Sequence, residues 1–99
     1  MPVMTRRQKI INLLEKKDYS ISELAMMLDM RGKGSKKAIV EDLKAVAKIV
    51  RREGKVLLIQ PAICRKCGFT FRAEINIPSK CPRCRSQWIE EPRFRIKVR

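Results

Sequence analysis

The sequence predicts an α+β protein in which three short helices are followed by β-strands. Apolar residues recur at helical spacing over residues 5–54, whereas apolar and polar residues alternate in much of 56–99. All four cysteines lie in the second part, in two C-x-x-C pairs. A chain of 99 residues holds one or two small modules of this kind and has no room for a large catalytic core.

Two helices are expected in the first part, because each begins with residues that satisfy the free backbone N–H groups of a first turn. Thr5 and Gln8 have the spacing of a capping box, and the first helix follows them. Ser20 and Glu23 form a second capping box, which opens the next helix. Two glycines within 29–34 end that helix and predict a turn.

A third helix is predicted between Ser35, as its N-cap, and Gly54, as its C-terminal stop. With a step of about 100° per residue, four aliphatic residues share one narrow stripe: Ile39, Leu43, Val46 and Val50. Four cations occupy the opposite side, with Glu41 among them: Lys37, Lys44, Lys48 and Arg52. The helix therefore has an apolar face for the core and a basic face.

Three strands are predicted in the second part of the chain. The segment 56–59 is a short apolar run, typical of a buried strand. Apolar and polar residues alternate over 69–74 and again over 93–98, so we expect one covered face. Because no Gly/Ser linker separates helices from strands, we expect the two parts to pack together.

The cysteine pairs predict a metal site. Two residues between the cysteines let one tight turn direct both sulfurs to the same point, and Gly68 suits a turn that needs a positive φ. Two such turns bring four thiolates into a tetrahedron, the ligand set of a closed structural Zn²⁺ site. The expected ligands are Cys64, Cys67, Cys81 and Cys84.

Two other uses of the cysteines compete with zinc. Disulfides are disfavoured because no secretion signal is evident and we expect a cytoplasmic protein, in a reducing compartment. Iron, as in a rubredoxin-like electron carrier, stays open because ligand softness alone does not separate the two metals in a tetrathiolate. Bound metal is expected to supply folding free energy to this part of the chain.

The charge balance points to a polyanionic partner. Lys and Arg number 24 against 10 Asp and Glu, which gives a formal net charge of +14. Nucleic acid is favoured over a membrane surface, and the apolar runs are too short for a membrane span. Because the sequence has no histidine, His-based catalysis is excluded, and we expect no enzymatic activity.

The cations cluster where a DNA-binding helix would begin. Three helices followed by strands is the order of a winged helix-turn-helix, whose third helix enters the major groove. A helix N-terminus attracts phosphate, so nearby cations and free N–H groups would act together. The alternative is a solvated basic face without a ligand. The expected DNA-contacting residues, mostly at phosphates, are Arg31, Lys33, Lys36, Lys37, Lys44 and Lys48.

The remaining large apolar side chains are expected to be buried. Met26, Met27 and Met30 are assigned to the core and the turn. The aromatic residues of the second part are expected to close the small core around the metal, with base stacking as the alternative: Phe69, Phe71 and Trp88.

Six segments make the chain resemble a known family over almost its whole length. They are 31–37 (RGKGSKK), 41–44 (EDLK), 64–69 (CRKCGF), 73–78 (AEINIP), 81–84 (CPRC) and 88–94 (WIEEPRF). The chain resembles the archaeal predicted transcriptional regulators that join a winged helix-turn-helix to a rubredoxin-like zinc ribbon.

The resemblance implies that the ribbon is inserted in the wing, between strands near 56–59 and 94–98. Residues 1–60 with 92–99 would then form the winged-helix domain, and residues 61–91 the zinc ribbon, with all four cysteines as ligands. The wing tip becomes a metal knuckle whose cations would grip the phosphate backbone or dock a protein: Arg65, Lys66, Arg83 and Arg85.

The expected function is a non-enzymatic transcriptional regulator that binds double-stranded DNA. Two rivals stay open: an accessory factor that binds proteins of the transcription machinery, and an iron-containing redox protein. The basic surface argues against the redox role. Charge alone does not distinguish RNA from DNA as the partner.

Overall fold

The computed structural model describes residues 4–99 and has the predicted α+β composition, with three helices and two antiparallel sheets. In chain order the elements are α1 (Arg6–Lys16), β1 (Tyr19–Ser20), α2 (Ile21–Met27), α3 (Ser35–Arg52), β2 (Lys55–Gln60), β3 (Ile63–Cys64), β4 (Ile89–Glu90) and β5 (Arg93–Val98). None of the helices described is long and apolar enough to cross a membrane.

Both predicted helix starts are confirmed. Thr5 Oγ1 accepts a hydrogen bond from the N–H of Gln8 at 3.1 Å, and α1 follows. Ser20 Oγ accepts from the N–H of Glu23 at 3.2 Å, while the Glu23 carboxylate accepts from the N–H of Ser20 at 3.0 Å. The second capping box is therefore complete and fixes the start of α2.

The predicted stop of α3 is confirmed, but its predicted N-cap is wrong by one residue. Gly34 takes the cap position with φ 88°, and Ser35 is the first helical residue. The Ser35 hydroxyl donates to the carbonyl of Gly32 at 3.0 Å, so it stabilises the turn and not the helix end. Gly54 has φ 77°, as a helix stop requires. The predicted aliphatic stripe is fully buried.

The larger sheet has the order β1-β5-β2, with β5 in the centre and both neighbours antiparallel to it. Phe94 opposes Ile59 and packs on the helices, and Leu57 opposes Ile96 on the same face. Leu58 lies on the other face and is 43% exposed, so the expectation that all of 56–59 is buried is wrong. Only one face of this sheet is covered, because all three helices lie on that side.

The strand predicted over 69–74 is not present. Thr70 forms a single bridge to Ile63, and the Phe71 N–H donates to the carbonyl of Ala62 at 2.9 Å. The rings of Phe69 and Phe71 pack edge to face with centroids 5.1 Å apart. The alternation therefore reflects two aromatic side chains packed around the first cysteine turn. The ribbon sheet is instead β3 with β4, each two residues long.

The two parts of the chain pack together, as expected. Ile75 and Ile77, from the long ribbon loop, lie against the core of the helical part. The Glu91 carboxylate, at the end of the ribbon, accepts hydrogen bonds from the backbone N–H and hydroxyl of Ser22 on α2. The core itself is built from α1, α2, α3 and the inner face of β5.

Candidate metal centre and nucleic-acid interface

The four cysteines lie together at one end of the ribbon. Each Sγ atom is within 4.8 Å of the other three, and the closest pairs are Cys64 with Cys84 and Cys67 with Cys81, both at 3.5 Å. Zn–S bonds of about 2.3 Å in a tetrahedron place sulfurs about 3.8 Å apart, so the cluster fits zinc closely. A disulfide requires about 2.05 Å, and all four cysteines are unpaired.

The two cysteine turns have the same backbone geometry. In the first, the Gly68 N–H donates to the Cys64 carbonyl at 2.9 Å. In the second, the Arg85 N–H donates to the Cys81 carbonyl at 2.8 Å. The residue after each second cysteine is left-handed, with φ 81° at Gly68 and φ 61° at Arg85. Each pair therefore presents its two sulfurs from an equivalent turn, as the spacing predicts.

Backbone N–H groups in these turns favour thiolates. The N–H of Cys67, aided by that of Lys66, lowers the pKa of the Cys64 thiol to about 6. Burial raises the pKa of Cys81, but the N–H groups of Cys84 and Arg83, 3.5 and 3.4 Å from its Sγ, outweigh burial and lower it. Thiolates are the form that binds metal, so the turns are suited to a cation before one arrives.

Family comparisons agree with this geometry. A family model described as "PF0610-like, N-terminal" matches residues 5–58, and one described as "PF0610 rubredoxin-like zinc beta-ribbon domain" matches residues 61–99. The chain belongs to the PF0610-like family. Its tetracysteine centre is that of a zinc ribbon, with zinc as the metal. Within the family, the four predicted ligands are the only cysteines that this chain supplies.

A solved structure supports the same family and fold. The chain is 67% identical to protein PF0610 from Pyrococcus furiosus, whose structure was determined in solution by NMR. The match covers 100% of this chain and 94% of that one, with a TM-score of 0.86. Comparison with curated proteins found no match.

The six cations predicted on the helical part are all exposed. Lys33 and Lys37, together with Lys48 on the back of α3, form no ion pair with any residue of 4–99. The other three have acidic partners: Arg31 with Asp29 at 3.5 Å, Lys36 with Glu91 at 3.9 Å and Lys44 with Glu41 at 3.8 Å. Such exposed pairs are weak and a polyanion can displace them.

The four cations predicted on the ribbon are also exposed, but their surroundings differ. Arg65 faces a cavity of about 230 Å³ that is also lined by Glu23, Glu90 and Glu91. These carboxylates make Arg65 a poor phosphate contact, contrary to its sequence-based assignment. Lys66, Arg83 and Arg85 form no ion pair with any residue that the structure describes.

Three acidic residues with defined partners escaped the sequence analysis. Asp42 is only 3% exposed on α3, and its carboxylate accepts hydrogen bonds from Arg6 and Arg7 on α1. Glu91 joins the ribbon to α2. Asp18 accepts from Arg93 Nε at 2.7 Å, beside the capping residue Glu23. No sequence signal marks these pairs, since their members lie far apart in the chain.

Three large apolar side chains are exposed where burial was expected. Trp88 is 62% exposed, Met26 79% and Met27 55%. The metal turns of the ribbon are closed by Phe69 and Phe71, which leaves no packing space that requires Trp88. Met30 does pack against the core, as predicted, because it follows the turn that ends α2.

Proposed function

We propose that the chain is a non-enzymatic transcriptional regulator that binds double-stranded DNA through the turn before α3 and the basic face of α3. One observation carries the proposal. Lys33, Lys37 and Lys48 are exposed, share one region of the surface and lack acidic partners within residues 4–99. Unpaired cations in such an array attract phosphates and release counterions when they bind them.

The order of the elements supports a winged helix-turn-helix arrangement. In that arrangement α2 and α3 form the DNA-binding pair, and the antiparallel strands β2 and β5 form the wing. The long turn before α3 contains Gly32 and Gly34, both with positive φ, which let its basic side chains project from the helix start. The cap of α3 is a glycine without a side-chain hydrogen bond, so the first N–H groups remain free for phosphate.

The domain division follows from the same proposal. Residues 1–60 with 92–99 act as the DNA-binding module, of which residues 1–3 lie outside the described part. Residues 61–91 act as a zinc-stabilised extension of the wing. Glu91 fixes the extension to α2, so the ribbon and α3 meet DNA as one unit.

Binding of a labelled duplex at several salt concentrations tests the proposal. The affinity should fall with salt, with a logarithmic slope of about −0.9 for each phosphate contact. Replacing Lys33 and Lys37 by Ala should reduce the magnitude of that slope by about 1.8, since two contacts are lost. Selection from random duplexes then tells whether binding is sequence-specific. α3 has no Asn or Gln for the usual bidentate contacts to adenine.

The matched control replaces Lys9 and Lys16, two exposed cations of α1 that form no ion pair with the described residues. This variant has the same net charge as the first, but its changes lie on a different helix. Equal losses in the two variants, or a wild-type affinity that does not respond to salt, would contradict DNA binding by the proposed face.

A protein partner is the second candidate, and the exposed methionines favour it. Met26 and Met30 line a cavity of about 340 Å³ between α2 and the start of α3, and Met27 is exposed beside them. Flexible thioether side chains suit adaptable protein contacts. Absence of duplex binding, together with co-purification of a polymerase subunit that Met26→Ser abolishes, would favour an accessory factor of the transcription machinery.

A further inference from the structure

Trp88, the only tryptophan of the chain, lies on the surface of the ribbon immediately before β4. Its exposed fraction is 62%, although an indole ring normally contributes a large buried area. The ribbon core does not use it, since Phe69 and Phe71 pack against each other instead. The indole therefore presents an apolar, π-electron surface to solvent.

The backbone of Trp88 is fixed to both cysteine turns. Its carbonyl accepts a hydrogen bond from the N–H of Arg65 at 2.9 Å, which joins it to the first turn. Its N–H donates to Ser86 Oγ at 3.0 Å, and the Ser86 carbonyl accepts from the N–H of Cys81 at 2.9 Å. The ring thus stands on a support held by the metal centre, so binding a ligand there costs little ordering of the backbone.

Exposed cations accompany the ring on both turns. Lys66 belongs to the first turn, and Arg83 and Arg85 belong to the second. None of the three forms an ion pair with the part of the chain described here. Glu90, two residues beyond Trp88 in β4, bounds this surface on one side. The surface therefore combines one aromatic face with three free positive charges.

Arg85 occupies a position that would suit glycine. It has φ 61°, and the equivalent position of the first turn holds Gly68 with φ 81°. A non-glycine residue in this conformation is strained, and the added Cβ at the first turn would meet open space, so packing does not select the side chain. An arginine at a strained position points to a role for its guanidinium outside the fold.

We propose that this surface binds single-stranded DNA, with a base stacked on Trp88 and neighbouring phosphates bound by Lys66, Arg83 and Arg85. Aromatic stacking beside cations is how proteins bind unpaired strands without strong sequence preference. The surface is separate from the α3 face proposed for duplex DNA and does not depend on it. An acidic peptide could satisfy the cations, but it lacks the planar bases that a fixed indole matches.

Intrinsic fluorescence of the full-length, zinc-loaded chain provides a direct test, because only Trp88 contributes to the tryptophan signal. Titration with oligothymidylate should quench the emission by stacking. With a labelled oligonucleotide, Trp88→Ala should weaken binding about 5- to 150-fold, the range expected for loss of one base-stacking side chain. Trp88→Phe should recover part of that loss. Zinc content and circular dichroism confirm that each variant is folded.

Arg85→Gly separates the proposed role from a structural one. Glycine relieves the left-handed strain, so the variant should be at least as stable as the wild type, yet bind oligothymidylate more weakly. Its salt slope should be smaller in magnitude by about 0.7, the value for one phosphate contact on a single strand. The control Lys80→Gly removes an exposed ribbon cation outside the cysteine turns and should leave the affinity nearly unchanged.

Four results would overturn the proposal: no quenching, unchanged affinity of Trp88→Ala, unchanged affinity of Arg85→Gly, or displacement of the oligonucleotide by an equimolar polyglutamate peptide. Tighter binding of oligouridylate than of oligothymidylate would overturn the assignment to DNA. The duplex proposal is tested apart from this one, because Lys33 and Lys37 should affect duplex binding and leave quenching by the single strand intact.

Discussion

Glu91 holds the start of α2 through Ser22: its Oε1 accepts a hydrogen bond from the Ser22 N–H at 3.0 Å, and its other oxygen accepts from the Ser22 hydroxyl. Lys36, at the start of α3, lies 3.9 Å from the same carboxylate. One side chain at the end of the ribbon therefore contacts both helices of the proposed DNA-binding pair. The position of the ribbon relative to α3 depends on this carboxylate.

Replacing Glu91 by Ala should destabilise the fold by about 1.5–3 kcal/mol, because hydrogen bonds to a charged group in a partly buried site are lost. The amide of Ser22 should also exchange its hydrogen faster than in the wild type. Chemical denaturation and hydrogen exchange measure the two effects. Glu90→Ala is the matched control, since Glu90 is exposed and adjacent. Equal destabilisation by the two substitutions would show that the contact with Ser22 contributes nothing.

Asp42 and Glu41 offer a second comparison between adjacent acidic residues. Asp42 is buried and accepts from Arg6 and Arg7, whereas Glu41 is exposed and has only the exposed partner Lys44. Asp42→Asn should cost about 1.5–3 kcal/mol in unfolding free energy, because two charge-assisted bonds between α1 and α3 are weakened. Glu41→Gln should change it by less than about 0.5 kcal/mol.

Urea unfolding of both variants at neutral pH gives the comparison. The α1 helix should fray more readily in Asp42→Asn, which reports the lost contact directly through the amides near Arg6. If Glu41→Gln were the more destabilising change, burial of the Asp42 network would not be what stabilises this interface.

Local features of the sequence predicted local structure well. The capping boxes, the apolar stripe of α3 and the cysteine turns each depend on residues a few positions apart, and each is present in the structure. The pair Asp42 with Arg6 spans 36 positions, Ser22 with Glu91 spans 69, and Arg93 with Asp18 spans 75. Such pairs depend on how the elements pack, and no spacing rule indicates them.

Two errors have a common physical origin. The segment 69–74 alternates like a strand, and Trp88 has the size of a core residue, yet neither finds a partner of the expected kind. The ribbon is organised by the cysteine cluster and by sheet strands of two residues, so alternation and side-chain size carry less information there than in α3. A core held by metal reduces the demand for apolar burial.

Removal of the metal should unfold the ribbon before the helices. A strong chelator is expected to collapse the amide dispersion of residues 64–91, because the thiolates repel one another and the ribbon has little apolar packing of its own. Far-ultraviolet circular dichroism should keep most of the helical signal, since the buried stripe of α3 packs on α1 and β5. Residue-resolved NMR spectra with and without chelator, and readdition of zinc, measure this directly. Native dispersion in the metal-free ribbon would contradict the prediction.

Arg93 makes the stability of the larger sheet depend on pH. Its Nε lies 2.7 Å from Asp18, and its Nη1 lies 2.7 Å from Glu23. The hydrogen bond from Arg93 lowers the pKa of Asp18 below its ordinary 3.8. The pKa of Glu23 is lowered below 4.5 first by the N–H of Ser20 and then by Arg93. Both carboxylates therefore favour folding in their charged form.

The sign of the pH effect follows from these directions. A carboxyl group whose pKa is lowered by folding contributes its full stabilisation above the unfolded pKa and loses it as the pH falls through the folded value. The loss of unfolding free energy in Arg93→Met should thus be constant above about pH 5 and shrink below about pH 4. Lys97→Met, an exposed change on the same strand, should give no such trend. Because acid also releases zinc from both chains, the difference between variant and wild type is the quantity to measure, by urea denaturation at each pH. A difference that stays constant through the acid range would mean that Arg93 stabilises the strand by packing alone.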